Sequence, residues 1–157
     1  APVFRVGYLI APKEFVNEAA NQRRIIDRQG DALLELTFEE FIKNGDLDRH
    51  IKKVMKVYKA RRDLFCSLLK ERFSDVFRFE KPKGGMAVWL TLDEKYTWIS
   101  VVDSAIKHKL EIGDYTRYDH ANTKHNAIRM GFATYNEEEI YELINRFSKT
   151  MNEVKGG

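Results

Sequence analysis

Apolar residues recur at helical spacing through the first half of the chain, and glycine, asparagine and proline divide that half into segments. Pro12 suits the start of a helix, Gly30 interrupts the pattern, and Asn44-Gly45 is a typical helix C-terminus. In the last of these segments the apolar positions follow helical spacing, and they are Leu47, Ile51, Val54, Met55, Tyr58, Phe65, Leu68 and Leu69. The pattern predicts three consecutive helices, over residues 13–27, 31–43 and 46–73.

The remainder of the chain has a strand-rich texture, with short runs of aromatic and β-branched residues. The turn Pro-Lys-Gly-Gly separates two such runs and indicates a hairpin. Asn136 is a suitable N-cap for a last helix. The predicted elements are strands over 3–10, 76–80, 86–92, 111–112 and 127–133, helices over 96–110 and from 136 to about 154, and a polar loop over 113–126.

The predicted order is one strand, three helices and then β-β-α-β-β-α. Segments of this kind indicate an α+β fold, in which helices pack on one face of a small sheet. A chain of 157 residues is long enough for one domain with a core. No apolar run approaches the length of a membrane span, so no membrane association is expected.

Charge and cysteine content exclude further classes of protein. The net charge of +3, from 27 basic and 24 acidic residues, is too small to argue for a nucleic-acid-binding surface by itself. Cys66 lies within an apolar helical stretch, where we expect a buried structural thiol. One cysteine cannot form an internal disulfide, which fits a reducing compartment, and we expect a cytoplasmic protein.

The polar residues do not form a complete catalytic set. His50, His108, His120 and His125 are scattered, and none pairs with Cys or carboxylates at the spacing of metal ligands. Asp119, His120 and His125 come closest to a metal-binding set, but they lie in the predicted polar loop. A solvated loop is therefore favoured over a metal site. No nucleophile context is recognisable, and the glycine pair of the predicted hairpin lacks the spacing of a phosphate loop. The chain alone is therefore not expected to be an enzyme.

The long predicted helix carries a basic stripe that has two interpretations. Acidic residues flank the stripe, and several of its members lie opposite the apolar positions. A solvated helix surface is therefore favoured over a nucleic-acid-binding face. The stripe comprises Arg49, Lys52, Lys53, Lys56, Lys59, Arg61 and Arg62.

Arg5 and Arg129 stand out because each lies within an apolar strand pattern. Each could simply point to solvent from an alternating sheet. Each could instead present its fork of N–H donors to an anion, because the guanidinium matches carboxylate and phosphate geometry. The residue pattern leaves both readings open.

Four segments, in order and spanning nearly the whole chain, resemble fold-type I pyridoxal-phosphate aminotransferases. The first is similar to the segment after the cofactor lysine, the second to the long helix that opens the small domain, the third to a glycine pair and strand, and the fourth to the strand with the substrate arginine. These segments are residues 2–9 (PVFRVGYL), 45–63 (beginning GDLDRHI), 84–90 (GGMAVWL) and 128–133 (IRMGFA).

The resemblance implies an expected domain organisation. Residues 1–30 would be the end of a large-domain region, and residues 31–157 would form the small C-terminal domain, with helices on one face of a mostly antiparallel sheet. The chain also starts without Met and within a predicted strand, so we expect it to be a piece of a longer protein. Such a piece should expose apolar surface.

Within this superfamily the sequence is most similar to MocR/GabR-type bacterial regulators, in which an aminotransferase-like region follows a GntR-type winged-helix domain. Residues 23–27 (RRIID) and 45–50 (GDLDRH) carry this similarity. Free-standing class I/II aminotransferases of the aminoadipate and kynurenine type share much of it and remain the alternative. A third reading is an unrelated α+β binding module, whose strand arginines would be surface residues.

The resemblance implies roles for both strand arginines. Arg5 would bind the phosphate of pyridoxal phosphate in the parent protein, and Arg129 would bind the α-carboxylate of an amino acid. By the family pattern the cofactor lysine lies roughly seven residues before Arg5, outside this chain, so the chain alone is expected to bind no cofactor.

The implied partners are an amino acid or amine and, through a winged-helix domain outside this chain, DNA. The parent protein would be a homodimer. Residues 113–120 depart from the Pro-Gly turn that relatives often carry, which leaves the choice of substrate open.

Overall fold

The computed structural model of the chain describes residues 6–26, 28, 30–113, 115–118 and 125–156. Within these ranges five α-helices and three β-strands are present, together with a single turn of 3-10 helix at Tyr115–Tyr118. The helices are α1 (Lys13–Ile26), α2 (Ala32–Lys43), α3 (Asp46–Phe73), α4 (Trp98–Lys107) and α5 (Glu137–Gly156).

Polar caps define where several of these helices begin. The Asp31 side chain accepts a hydrogen bond from Leu34 N at 3.0 Å at the start of α2, and Thr97 caps α4 in the same way. At the start of α5, Asn136 Oδ1 accepts from Glu139 N while the Glu139 carboxylate accepts from Asn136 N. This reciprocal pair satisfies two backbone donors that the helix cannot satisfy itself.

The three strands form one antiparallel sheet in the order β1-β2-β3, with β1 at Phe77–Arg78, β2 at Ala87–Leu92 and β3 at Ala127–Gly131. Phe77 lies opposite Leu92, and Leu90 lies opposite Ile128. Side chains of directly opposed residues share a face, so these four side chains lie on one side of the sheet. All four are buried.

The core lies against that face, beneath the second half of α3 and helices α4 and α5. Phe147 of α5 lies at its centre, with ring centroids 5.3 Å from Phe73 and 5.4 Å from Phe77. Trp98 of α4 stacks on Phe77 at 6.0 Å. The expected α+β architecture, with helices on one face of a small antiparallel sheet, is confirmed.

Two of the predicted strands are wrong within the described residues. Residues 6–10 of the first predicted strand adopt no regular structure, and neither do residues 111–112. A strand requires a partner for its backbone N–H and C=O groups, and no described segment pairs with either of these. Local β-propensity alone therefore does not form a strand at either place.

The chain divides into two units, Ala1–Val54 and Met55–Gly157. In the first unit α1 and α2 bury no side chain, and the contacts include a 3.0 Å ion pair between Arg23 and Glu35 and an aromatic contact between Phe38 and Phe41. The second unit contains the whole core. The expected division near residue 30 stays a prediction.

Large apolar side chains are exposed on the first unit, in keeping with the exposed apolar surface expected from the sequence. They include Tyr8, Ile10, Ile25, Ile26 and Leu33. None of the helices in the described part of the chain has the length and apolar content needed to cross a membrane.

The aromatic cluster at the centre of the core predicts a large effect of truncation. We expect Phe147→Ala to lower the free energy of unfolding by about 3–5 kcal/mol, because it leaves a cavity between two other rings. Urea unfolding followed by circular dichroism measures the change. The control is Ile106→Ala, since the Ile106 side chain is 66% exposed and its loss should cost no more than about 0.5 kcal/mol. Equal losses in the two variants would contradict this description of the core.

Candidate ligand-binding face of the sheet

The face of the sheet opposite the core presents an arginine and a tryptophan side by side. Val88, Leu90 and Leu92 of β2 point into the core, so the intervening Trp89 and Thr91 point the other way. Arg129 of β3 lies directly opposite Trp89. Side chains that oppose each other across an antiparallel pair have Cβ atoms about 4.5–5.5 Å apart, so the guanidinium and the indole are neighbours on this face.

Arg129 is exposed, and no carboxylate of the described residues lies within ion-pair distance of it. Within the part of the chain that the structure describes, no carboxylate occupies its N–H donors, so they are available to a bound anion. Trp89 remains 43% exposed beside it and offers an apolar surface. The pair can receive a ligand that carries a carboxylate next to an apolar group.

The glycine hairpin lies at one end of this face. Ala87 pairs with Gly131, and Phe132 N donates to Met86 O at 3.0 Å, so the turn that precedes β2 adjoins the end of β3. Gly85 has φ +79°, a conformation that side chains rarely adopt. The structure thus places the turn that contains the glycine pair next to Gly131, which lies two residues after Arg129 on β3.

Arg62 of α3 ties this hairpin to the helix. Its Nη1 donates to the carbonyls of Pro82 (3.1 Å) and Lys83 (3.2 Å), and its Nε and Nη2 donate to the Asp63 carboxylate. The Arg62 side chain is only 15% exposed. Four of its five N–H donors are used by protein groups, so it positions the turn and leaves no two-donor fork for a ligand.

Arg61 forms a second tie, from α3 to the Ala133 carbonyl just after β3. The sequence interpretation of Arg61 and Arg62 as members of a solvated basic stripe is therefore wrong. A signal was present, because Arg62 falls four residues after Tyr58 and three before Phe65, both on the apolar side of the helix.

The Asp63 carboxylate is surrounded by three cations. Lys81 lies 2.8 Å from it, Arg62 also 2.8 Å, and Lys59 3.0 Å. Hydrogen bonds from Lys81 first, then from Arg62 and Lys59, hold the pKa of the Asp63 carboxyl well below its usual range. Asp63 thus neutralises part of the positive charge that Lys59, Arg62 and Lys81 bring close to the hairpin.

The other residues singled out from the sequence have separate positions. Arg5 lies outside the described residues, and so do Asp119 and His120. His108 contacts the Glu153 carboxylate at 3.1 Å. In the described ranges no three His, Cys, Asp or Glu side chains are grouped as a metal site. Cys66 is buried as expected, and this burial raises the pKa of its thiol.

Comparison with known proteins gives a consistent result. The family profile described as "Aminotransferase class I and II" matches residues 1–147. The chain belongs to this family.

Of two curated relatives of this aminotransferase-family chain, one is named as an enzyme and the other as a transcriptional regulator. The chain is 30% identical to "Aromatic-amino-acid aminotransferase 1" of Thermococcus litoralis, over 98% of this chain and 37% of that protein. It is 31% identical to "HTH-type transcriptional regulator NorG" of Staphylococcus aureus, over 98% of this chain and 34% of that protein. The chain thus spans little more than a third of the length of these relatives.

Solved structures agree with the family assignment. The multiple substrate aminotransferase from Thermococcus profundus matches with a TM-score of 0.89 and 28% identity, over 99% of this chain and 39% of that one. The Pyrococcus horikoshii kynurenine aminotransferase matches with a TM-score of 0.86 and 27% identity, over 98% and 38%. The aminotransferase family implies pyridoxal phosphate in the parent fold.

The cation cluster around Asp63 predicts a defined dependence on pH. Because the folded-state pKa lies below the unfolded one, Asp63 contributes stability above pH about 4, and this contribution is lost as the pH falls through the folded pKa. We expect Asp63→Asn to be less stable than the unchanged chain at pH 7, with a difference that shrinks as the pH falls below about 4.

Urea unfolding at a series of pH values from 7 downward measures this difference. The control is Glu71→Gln, because Glu71 is exposed on the same helix and has no ion-pair partner among the described residues. A constant difference between Asp63→Asn and the unchanged chain at every pH would contradict the role of the ionised carboxylate.

Proposed function

We propose that this chain is the amino-acid-binding C-terminal part of an aminotransferase-like effector region in a GntR/MocR-type bacterial transcription regulator. The observation that carries the proposal is the exposed Arg129 guanidinium beside Trp89, without a carboxylate partner among the described residues. A carboxylate is the anion that matches this fork of donors. The relative NorG is named as a transcriptional regulator, which supports a regulatory context.

In this proposal Arg129 binds the α-carboxylate of an amino acid in a bidentate pair. The remainder of the ligand then lies along the open face toward the apolar surface of Trp89. Arg62 and Arg61 act on the site only indirectly, because they hold the hairpin and the end of β3 in place. The site is therefore built on a rigid sheet that two arginine ties fix to α3.

Pyridoxal phosphate, when bound in the parent protein, supplies the electron sink for chemistry at an amino acid. Arg5 is proposed to hold its phosphate, and the cofactor lysine is proposed to precede this chain. Residues 1–30 would then belong to a large domain and residues 31–157 to the small one. The parent is proposed to be a cytoplasmic homodimer that binds DNA through a separate winged-helix domain.

The second candidate is the small domain of a free-standing class I/II aminotransferase. The Thermococcus litoralis relative favours it, since its identity to this chain is almost the same as that of NorG. Both candidates assign the same role to Arg129. They differ in what amino-acid binding does, because a regulator converts it into a change of conformation and an enzyme into turnover.

Replacement of Arg129 tests the role that both candidates share. In the full-length parent protein, Arg129→Gln is expected to weaken amino-acid binding by about 2–5 kcal/mol, or roughly thirtyfold and more, because a desolvated carboxylate loses its cation. Arg129→Lys should recover part of the loss, since it restores charge without the fork. Isothermal titration with a panel of amino acids measures the affinity.

The matched control is Arg78→Gln. Arg78 lies opposite Thr91 and so projects from the same sheet face, one strand beyond Trp89. Its replacement should leave the affinity within about twofold. Unchanged binding in Arg129→Gln would support the third reading, an unrelated module with surface arginines, and would remove the proposed site.

A second measurement separates the two candidates. The full-length protein is assayed for amino-acid-dependent binding to DNA from its own promoter and for transamination with 2-oxoglutarate. A change in DNA affinity with the amino acid supports the regulator. Turnover without DNA binding instead assigns the chain to a metabolic aminotransferase.

A further inference from the structure

A groove runs between helix α3 and the outer edge of strand β1, away from Arg129. Its volume is about 530 Å³, which is enough for several side chains of a bound segment. Helix and strand line opposite sides of it. The helix contributes Cys66, Ser67 and Lys70, and the strand region contributes Phe77, Arg78 and Phe79. The other lining residues are Asp63, Ser74 and Lys81.

The backbone of β1 offers unpaired groups to this groove. Asp93 N donates to Val76 O at 2.8 Å, which fixes the alternation of the β1–β2 ladder. Val76 and Arg78 therefore direct their backbone groups to β2, and Phe77 directs its groups to the other edge. If the same alternation continues to Phe79, just beyond β1, its groups face that edge too. No described strand pairs with that edge, because β1 is an edge strand in the sheet order β1-β2-β3.

The helical side of the groove follows a regular stripe. Lys70 lies four residues after Cys66 and three after Ser67, so these three side chains share the face of α3 that lines the groove, and Ser74 follows just after the helix ends. Cys66 and Phe77 are buried, and Phe79 is half-buried against the core. The floor is thus apolar and firmly held by the core.

Positive charge surrounds this floor. Lys70 is exposed and has no ion-pair partner among the described residues, and Arg78 only approaches Asp93 at 3.5 Å. Lys81 pairs with Asp63, but that carboxylate is shared among three cations. The groove therefore carries a net positive potential and favours an anionic occupant.

We propose that this groove binds an extended, acidic peptide segment of a partner protein, which adds as a strand to the outer edge of β1. The N–H and C=O groups of Phe77 and Phe79 pair with the segment's backbone, and its alternate side chains point to the apolar floor and to the basic rim. An open strand edge, an apolar floor and complementary charge are the features that this mode of recognition uses.

The proposal is independent of the amino-acid site. Arg129 lies on β3, two strands from the groove, and no residue of the groove belongs to the proposed amino-acid site. Because β1 has only two residues, the added strand makes few backbone bonds, and the interaction is expected to be transient.

The test uses the 157-residue chain and the synthetic peptide acetyl-Glu-Val-Glu-Val-Glu-Val-Glu-amide. NMR titration should show shifts at the amides of Phe77 and Phe79, and their hydrogen exchange should slow by about tenfold in the complex. A peptide of the same sequence with every backbone nitrogen methylated keeps every charge but loses all of its N–H donors, and its methyl groups obstruct strand pairing, so it should not protect these amides.

Charge is tested by Lys70→Glu, which is expected to weaken peptide binding by about fivefold. The control is Lys149→Glu, because Lys149 is exposed on α5 and does not line the groove. Circular dichroism confirms that both variants fold.

Three outcomes would overturn the proposal. Equal protection by the N-methylated peptide would indicate binding through charge alone. Shifts with free glutamate that match those of the peptide would indicate a small-anion site. Concentration-dependent dimerisation of the chain, with protection of the same two amides, would assign the edge to a second copy.

Discussion

Strand β2 must satisfy two different environments at once, and the arrangement of the second unit depends on it. Val88, Leu90 and Leu92 fill the space above the aromatic cluster, so Trp89 has to project from the opposite face. The register with β3 then places Arg129 beside Trp89. A slip of one residue would exchange the two faces, burying a tryptophan indole and exposing three aliphatic side chains. The core therefore specifies the position of the candidate site.

Two arginine side chains of helix α3 also hold this sheet in place. Arg62 binds two carbonyls of the hairpin turn, and Arg61 binds the carbonyl of Ala133. Backbone carbonyls in turns require donors, and a guanidinium supplies several from one side chain. The same helix thus contributes apolar residues to the core and two polar ties to one end of the sheet, where the turn before β2 adjoins the end of β3. Asp63 balances part of the resulting charge.

Members of one family include proteins named as enzymes and proteins named as regulators, and this chain is about equally similar to one of each. A sheet face that holds a carboxylate serves both purposes, because binding is common to catalysis and to sensing. In both relatives most of the length lies outside the part that this chain matches. The first unit exposes several large apolar side chains, as the sequence led us to expect.

The bounds of α3 and the existence of the β1–β2 hairpin could be predicted from the sequence, because helical periodicity and turn residues act over a few positions. Burial of Cys66 was predictable for the same reason. The strands expected at 3–10 and 111–112 failed in their described parts, since a strand depends on a partner that local sequence does not reveal. Arg129 could be singled out from the sequence, and the cross-strand register shows which face of the sheet it occupies, while its role in binding an anion stays a prediction. By itself the sequence determined the local elements, whereas the tertiary structure decided the faces, because only packing fixes which side of a strand meets the core.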